Sequence, residues 1–556
     1  MEAALTIRVP LVSVPSTSAP AGPCPVCPRA ASEYEGWRQA SYWRKQHERA
    51  RDREGRLKER IKHLEAQARL LNQKIFGKSS ESKTGTESAK QPDPAVSKRP
   101  RGQQPGQPNP PKRKHNQLPV VEEILDLPDE QRHCSCCGLP FAEFPGTEDS
   151  EILEVDVKAH RRLIRRKRYK PNCECPENKP IVSAPPAPRV IPKSKIGVSI
   201  WVHLLLDKYL FHRPTYRELE ALRLHGLDLS LGSITDGLKH LEPLFTPLYE
   251  AMVVRSQQQT FWHADETRWQ VFVTIEGKTG QRWYLWVFHA ADVVVFVLSP
   301  TRAHDVPEEH FGEDAEGILL VDRYSAYKAI EQVKDGSIVL AFCWAHVRRD
   351  FLRVEKGCPE YAEWSEAWVE RIGLLYHLND ERLKASESLP TPAQPQALPA
   401  PPTPAEQRLR DHVKAIAKQR DDELALPDLP LAKSKVLVSL KNHWDGLTVF
   451  VDHPEVPLDN NTAERAQRGP VVGRKNYYGS GAEWSGRLAA MLFSLFQTLS
   501  LANLNPHLWL TAYLNACAAA GGKAPADADK YLPWNLSDEQ KREWSNDRQP
   551  PTTDSS

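Results

Sequence analysis

Three carboxylates stand out by their settings in this 556-residue chain. Asp265 ends the apolar run Phe261-Trp262-His263-Ala264-Asp265, and Asp322 ends Ile318-Leu319-Leu320-Val321-Asp322. Glu464 closes the polar segment Asp459-Asn460-Asn461-Thr462-Ala463-Glu464. The two apolar runs read as strands, and a carboxylate at the tip of a buried strand is held rigidly, as metal chelation requires. Each acid also has a plainer reading. Asp265 and Asp322 can cap the turns after their strands. Glu464, three residues after Asn461, can complete a capping box or pair with Arg468 one turn on.

Sulfur and cationic side chains supply the other candidates. Cys134, Cys137, Cys173 and Cys175 can offer four thiolates to one Zn²⁺, closing a ribbon too small to have its own core. The second pair has a gap of one residue and Cys136 is a spare thiol, so reduced, unliganded cysteines are the alternative. Between the pairs, Lys158 to Lys170 holds eight cations in thirteen residues and no acid: Lys158, Arg161, Arg162, Arg165, Arg166, Lys167, Arg168 and Lys170. Beside Tyr169 and a candidate zinc ribbon this favours nucleic acid over a merely solvated face. Arg348 and Arg349, with His346, either support a phosphate or are surface charge beside a structural histidine. Arg465, Arg468, Arg474 and Lys475 follow Glu464 closely; Arg474 and Lys475 could grip a DNA backbone, with Tyr477 or Tyr478 stacking on a base.

The elements that must position these groups are legible from pattern. Thr260–Ala264, Trp283–His289, Val293–Leu298, Gly317–Val321 and Ile338–Phe342 are short runs rich in Val, Ile, Phe and Trp, the strands of one sheet. Ahead of them, 193–255 is helical, and Tyr216–His225, a turn at 226–230, and Leu231–Leu241 have helix-turn-helix proportions, though an ordinary helical hairpin fits as well. Ser230 or Ser233 caps the second of these helices. Leu57, Ile61, Leu64, Ala68, Leu71 and Ile75 alternate spacings of four and three, a coiled-coil seam within a helix over 41–77 or one face of a helix packed on its own protein. Leu488–Leu504 is a core helix. Residues 1–40 read as a disordered tail, 78–117 as a basic linker and 516–556 as a C-terminal tail. Seven prolines in the sixteen residues from Leu389 to Pro404 mark a tether inside a helical insertion over 353–455.

At this length more than one core is expected. A formal net charge of +2 says nothing about partners; only its distribution does. No apolar stretch reaches the roughly 20 residues that span a bilayer, and ten cysteines are too few for a disulfide framework. The reading is a cytoplasmic chain, with no membrane partner.

Taken together, the motifs resemble the bacterial transposases of the insertion sequence 66 family. The resemblance is carried by His263-Ala264-Asp265-Glu266-Thr267, Asp322-Arg323-Tyr324-Ser325-Ala326-Tyr327, Cys343-Trp344-Ala345-His346-Val347-Arg348-Arg349, and Asp459-Asn460-Asn461-Thr462-Ala463-Glu464-Arg465 with Gly473-Arg474-Lys475-Asn476. Arg323 stands where that family usually has glycine. The resemblance implies an α/β, ribonuclease-H-like catalytic domain over 256–352 and 456–515, interrupted by the insertion. A coiled-coil helix, a cysteine-rich zinc-ribbon-like module over 118–180 and a helix-turn-helix-like region precede it. It implies that Asp265, Asp322 and Glu464 are an Asp-Asp-Glu triad for two Mg²⁺ or Mn²⁺ ions in DNA strand cleavage and strand transfer. It implies transposon-end and target DNA as partners, at least a homodimer, and small accessory proteins of the same element. A non-catalytic DNA-binding regulator or transposase remnant is the competing expectation.

Overall fold

The computed structural model describes residues 28–76, 128, 131–132, 136–137, 139–140, 159–169, 181–274, 281–387 and 402–546. The basic linker, most of the cysteine module and most of the proline-rich tether therefore lie outside the described residues. The chain forms two compact units, one of 1–85 with 344–444 and one of 86–343 with 445–556.

The first unit is helical. Helix α1 (Pro28–Phe76) starts thirteen residues before the expected boundary at 41. The side chains of Leu57, Ile61 and Leu64 on the expected seam are exposed, whereas Ala66 is buried. Arg69 Nε donates to the Gly357 carbonyl. Gly357 ends α6 (Trp344–Gly357), so α1 packs on its own unit through the Ala66–Arg69 side. Helices α7 (Ala362–Glu387), α8 (Pro404–Leu424) and α9 (Leu431–Asn442) complete the unit. Thr403, just before Pro404, caps α8 by accepting from the Glu406 amide at 3.2 Å.

The second unit begins with a two-residue antiparallel ladder, Arg168–Tyr169 on Val182–Ser183. Helices α2 (Val198–Tyr209), α3 (Thr215–Leu224) and α4 (Leu231–Gln257) follow. Ser230 caps α4 as expected, and α4 continues well past Leu241 because its Leu, Phe and Met residues remain buried through Met252.

The sheet comprises β1 (Phe261–Gln270), β2 (Arg282–His289), β3 (Val294–Ser299), β4 (Gly317–Val321) and β5 (Ile338–Phe342), in the spatial order β3-β2-β1-β4-β5. The first three strands are antiparallel neighbours, while β4 and β5 join parallel to β1. Helix α5 (Asp305–Phe311) lies in the β3–β4 crossover, where Phe311 meets Trp262. Beyond the insertion and α10 (Trp444–Asp452) come α11 (Asn461–Tyr477), α12 (Glu483–Leu501) and α13 (Pro506–Ala519).

Helix α12 forms the core of this unit, with Leu488, Leu492, Phe493, Leu495, Phe496 and Leu499 buried. It also covers the β3 edge. Ser494 Oγ accepts from the Phe296 amide at 2.8 Å and Thr498 Oγ1 from the Val294 amide at 3.0 Å, so amides at the sheet's outer strand are paired rather than left as a template. The segment after 516, expected as a tail, is packed to Trp544: Leu532 and Trp544 are buried, and Tyr531 stacks on Trp544. Its short aromatic clusters, spaced too widely to show a period, hold it down.

Gly317 fixes where β4 enters the sheet. Its φ is 150°, and a Cβ there would collide with the Thr260 carbonyl, to which Ile318 donates at 2.9 Å. Gly317→Ala is expected to cost about 3 kcal/mol, read as a lower urea midpoint at an unchanged slope. A midpoint equal to the parent's would show that the strand entrance is not sterically fixed.

Candidate active site

Two strand registers bring the aspartates level. Strand β1 pairs with β4 only at Phe261↔Ile318, Trp262↔Leu319 and His263↔Leu320, and two residues further along each chain are Asp265 and Asp322. Asp322 lies just past β4, as expected, and its Oδ1 accepts from the Tyr324 amide at 2.8 Å, so the turn-capping role also holds. Asp265 differs from the expectation. It is not at the tip of β1, which runs five residues on to Gln270 because its antiparallel pairing with β2 continues to Gln270↔Arg282. On the β4 side, however, pairing has already ended, so Asp265 stands where that edge opens.

Pleating decides which way Asp265 faces. Residues 263, 265, 267 and 269 share one side of β1. His263 meets Asn460 on that side, and Trp269 packs on Tyr477 and Phe493. Asp265 therefore faces α11.

Helix α11 is fastened along β1 from end to end. Asn460, 1% exposed, sets His263 Nδ1 against its Oδ1 at 2.9 Å, donates from Nδ2 to the Ala264 carbonyl at 2.7 Å and from its amide to Cys343 Sγ at 3.2 Å. Two turns on, Gln467 Nε2 donates to the Leu285 carbonyl at 3.0 Å and the Asp265 carbonyl at 3.3 Å. Positions 460, 464 and 467 lie on one helix face, so Glu464 is carried between these two anchors and toward Asp265. At the far end Tyr478 takes a left-handed φ of 65°, and Ser480 exchanges backbone bonds with Gln270 and Phe272. The capping-box reading of Glu464 does not hold. The N-cap is Asn460, not Asn461, its side chain is committed to β1, and Asp459 Oδ1 receives the Asn461 amide instead.

The electrostatics agree with this convergence. Burial, then the charges of Glu266, Asp322 and Glu464, push the Asp265 carboxyl up to about 8, against a smaller opposing bond from the Glu266 backbone. All three acids are partly accessible. Hard carboxylate oxygens that repel one another across a small space form a donor set suited to a divalent cation. Carboxylate oxygens are hard donors of the kind Mg²⁺ and Mn²⁺ take, although the oxygens of these three acids do not all come within 4.8 Å of one another.

Among the described residues, the group whose potential ligand atoms all lie within 4.8 Å of one another is instead His203, Asp207 and Glu218. Arg213 already bonds Asp207 Oδ2 at 2.8 Å and Glu218 Oε2 at 2.6 Å, which pairs their charges and joins α2 to α3.

Sequence reasoning missed three residues around the triad. Glu266, buried on the opposite face from Asp265, receives Tyr327 Oη at 2.7 Å and the Arg302 guanidinium. Arg302 stacks 3.8 Å from the Tyr324 ring centroid. Glu266 and Tyr327 lie inside motifs already singled out; Arg302, in a loop, carries no pattern of its own.

The cationic candidates divide by place. Arg161, Arg162, Arg165, Arg166, Lys167 and Arg168 form an exposed stretch leading into the small ladder. Arg465, Arg468 and Lys475 are exposed on α11, whereas Arg474 turns onto β1, bonding Thr267 Oγ1 at 3.3 Å and the Arg268 carbonyl. Tyr478 is 71% exposed, while Tyr477 is packed against Trp269 and Lys208, which leaves Tyr478 as the stacking candidate. His346, Arg348 and Arg349 sit on α6 in the helical unit, with Arg349 Nη1 3.3 Å from His346 Nε2. Cys137 has an exposed, free thiol; Cys134, Cys173 and Cys175 lie outside the described residues.

Similar proteins place the chain. An uncharacterized protein of Sinorhizobium fredii, y4jD, is 28% identical over 440 residues, covering 76% of this chain and 81% of its own length. Two more from that organism, y4hP and y4qI, are 24% and 26% identical and cover 68% and 75% of this chain and 70% and 76% of themselves. The transposase IS66 family profile matches residues 193–488, more than half of the chain and all three carboxylates, so the chain belongs to that family.

Proposed function

We propose that the protein is a DNA transposase that cuts and joins strands at one site formed by Asp265, Asp322 and Glu464, on a ribonuclease-H-like sheet. The observation that carries this reading is the docking of α11: Asn460 and Gln467 fasten to β1 on either side of Glu464, on the face that carries Asp265. A mixed five-stranded sheet, with one acid on the central strand, one just past its parallel neighbour and one on the helix across its face, supports the fold assignment.

When bound, two Mg²⁺ or Mn²⁺ ions supply an activated oxygen nucleophile and charge stabilisation for in-line displacement at phosphorus. The protein's own residues hold and orient. Asp265 is fixed by a strand paired on its β2 side, Asp322 by its turn to Tyr324, and Glu464 by the first turns of α11. Water as nucleophile frees a 3′-hydroxyl at the element's end; that hydroxyl as nucleophile joins the end to target DNA. The exposed Arg161–Arg168 stretch and Arg465, Arg468 and Lys475 bind the phosphate backbone, as do Arg348 and Arg349. A helix-turn-helix role for α3 and α4, zinc at Cys134, Cys137, Cys173 and Cys175, a dimer that brings two ends together, and accessory proteins belong to the same proposal.

With the purified full-length chain, labelled DNA carrying the element's own ends and Mg²⁺ or Mn²⁺, Glu464→Gln is expected to lower cleavage and joining by on the order of a thousandfold or more at unchanged DNA binding. Equal binding by parent and variant with cleavage by neither would favour the non-catalytic DNA-binding reading. A second variant probes positioning. Asn460→Ala removes a buried anchor and strands its partners, costing about 2–4 kcal/mol, and is expected to reduce cleavage even at a temperature where circular dichroism shows it fully folded. Parent-level cleavage by the folded variant would show that the anchor does not position Glu464.

A further inference from the structure

A polar cavity of about 280 Å³ lies beside the triad, lined by Glu266, Thr267, Arg268, Tyr284, Arg302 and Arg474. Its position follows from the strand registers. Past His263 the β4 edge of β1 is unpaired, so the residues after Asp265 border open space rather than a neighbouring strand. Thr267 and Arg268 come from that stretch, Tyr284 is the cross-strand partner of Arg268, and Arg302 comes from the loop after β3. Arg474 reaches in from α11, held by the Thr267 hydroxyl and the Arg268 carbonyl. At a strand rise of about 3.3 Å per residue, Thr267 and Arg268 are roughly 7–10 Å along β1 from Asp265, of the order of one nucleotide's backbone.

The charge balance of the cavity selects its ligand. Glu266 is the one acid in the lining, and it is already engaged by Arg302 and Tyr327. Burial, and then the charge of Arg268, lowers the Arg474 pKa, so the two guanidinium groups lie close enough to repel one another. Guanidinium forks, a tyrosine hydroxyl and a threonine hydroxyl together match a phosphodiester better than a carboxylate or a neutral base.

We propose that this cavity holds the DNA phosphodiester next to the one being cut, so that Arg268, Arg302 and Arg474 set the register of the strand on the triad. The proposal rests on the reading of the chain as a DNA-cutting enzyme. It assigns binding roles to Arg268, Arg302, Thr267 and Tyr284, which sequence motifs alone did not suggest. Arg302 plays two parts: its guanidinium neutralises Glu266 and it also lines the cavity.

The test uses the full-length protein and duplexes carrying the element's ends, with single phosphates near the junction with flanking DNA replaced one at a time by neutral methylphosphonate. Binding is measured by fluorescence anisotropy in Ca²⁺, for the parent, Arg268→Gln and Arg268→Lys. Arg268 is exposed, so these substitutions leave the fold intact. The expected result is roughly five- to tenfold weaker binding by Arg268→Gln, with a salt slope lower by about one, and partial rescue by Arg268→Lys. One methylphosphonate within a nucleotide or two of the scissile position should weaken the parent and have no further effect on Arg268→Gln. Parent-like binding by Arg268→Gln, or no coupled position, overturns the proposal. Coupling in a parent that cuts in neither Mg²⁺ nor Mn²⁺, even with the element's accessory proteins added, overturns the catalytic reading and leaves phosphate binding by the cavity standing; cutting without coupling does the reverse.

Discussion

Asn460 closes a contact between parts of the chain 197 residues apart, and the geometry of the site depends on it. One amide side chain meets the His263 ring and the Ala264 carbonyl, while its backbone amide finds the Cys343 sulfur. Without these bonds several buried polar groups would be stranded, a penalty of about 1–3 kcal/mol each. They also fix the first turn of α11 in height and rotation, and a helix held at its first turn carries the next one with it. Glu464 is on that next turn. Gln467 and the Ser480 bridge hold the remainder of α11 against β1.

That fastening holds together charges that repel. Asp265 stands beside Glu266, Asp322 and Glu464, and partial burial, then their charges, raises its proton affinity. The fold answers Glu266 with Arg302 and Tyr327. Such tension is common where a protein is shaped for an ion or a transition state rather than for its own stability. The arginines nearby, on α11 and around the cavity, are the groups proposed to meet phosphate.

Much of this was legible in the sequence. Runs of Val, Ile, Leu, Phe and Trp marked all five strands of the sheet, and two of them fall as expected, Gly317–Val321 and Ile338–Phe342. The polar half of β1, Glu266 to Gln270, was not legible, because what makes it a strand is its hairpin partner rather than its own composition. The three acids could be singled out by motif, but not their mutual approach, which needs the β1–β4 register and the α11 docking. Arg302, in a loop, and Asn460, whose role depends on distant partners, could not be read from local pattern. The packed C-terminal segment escaped because Trp509, Tyr531 and Trp544 find each other only in three dimensions. On α1 the heptad spacing was real, yet the buried contact is made by Ala66, off the seam.

The most direct test of the central claim, that one site is built from three distant acids, is Mn²⁺ binding followed by electron paramagnetic resonance in the full-length protein without DNA. Asp265→Asn, Asp322→Asn and Glu464→Gln are compared singly with the parent. The account predicts that each substitution weakens the same high-affinity Mn²⁺ binding, because all three side chains share the ions. Parent-like Mn²⁺ binding by all three variants would contradict it.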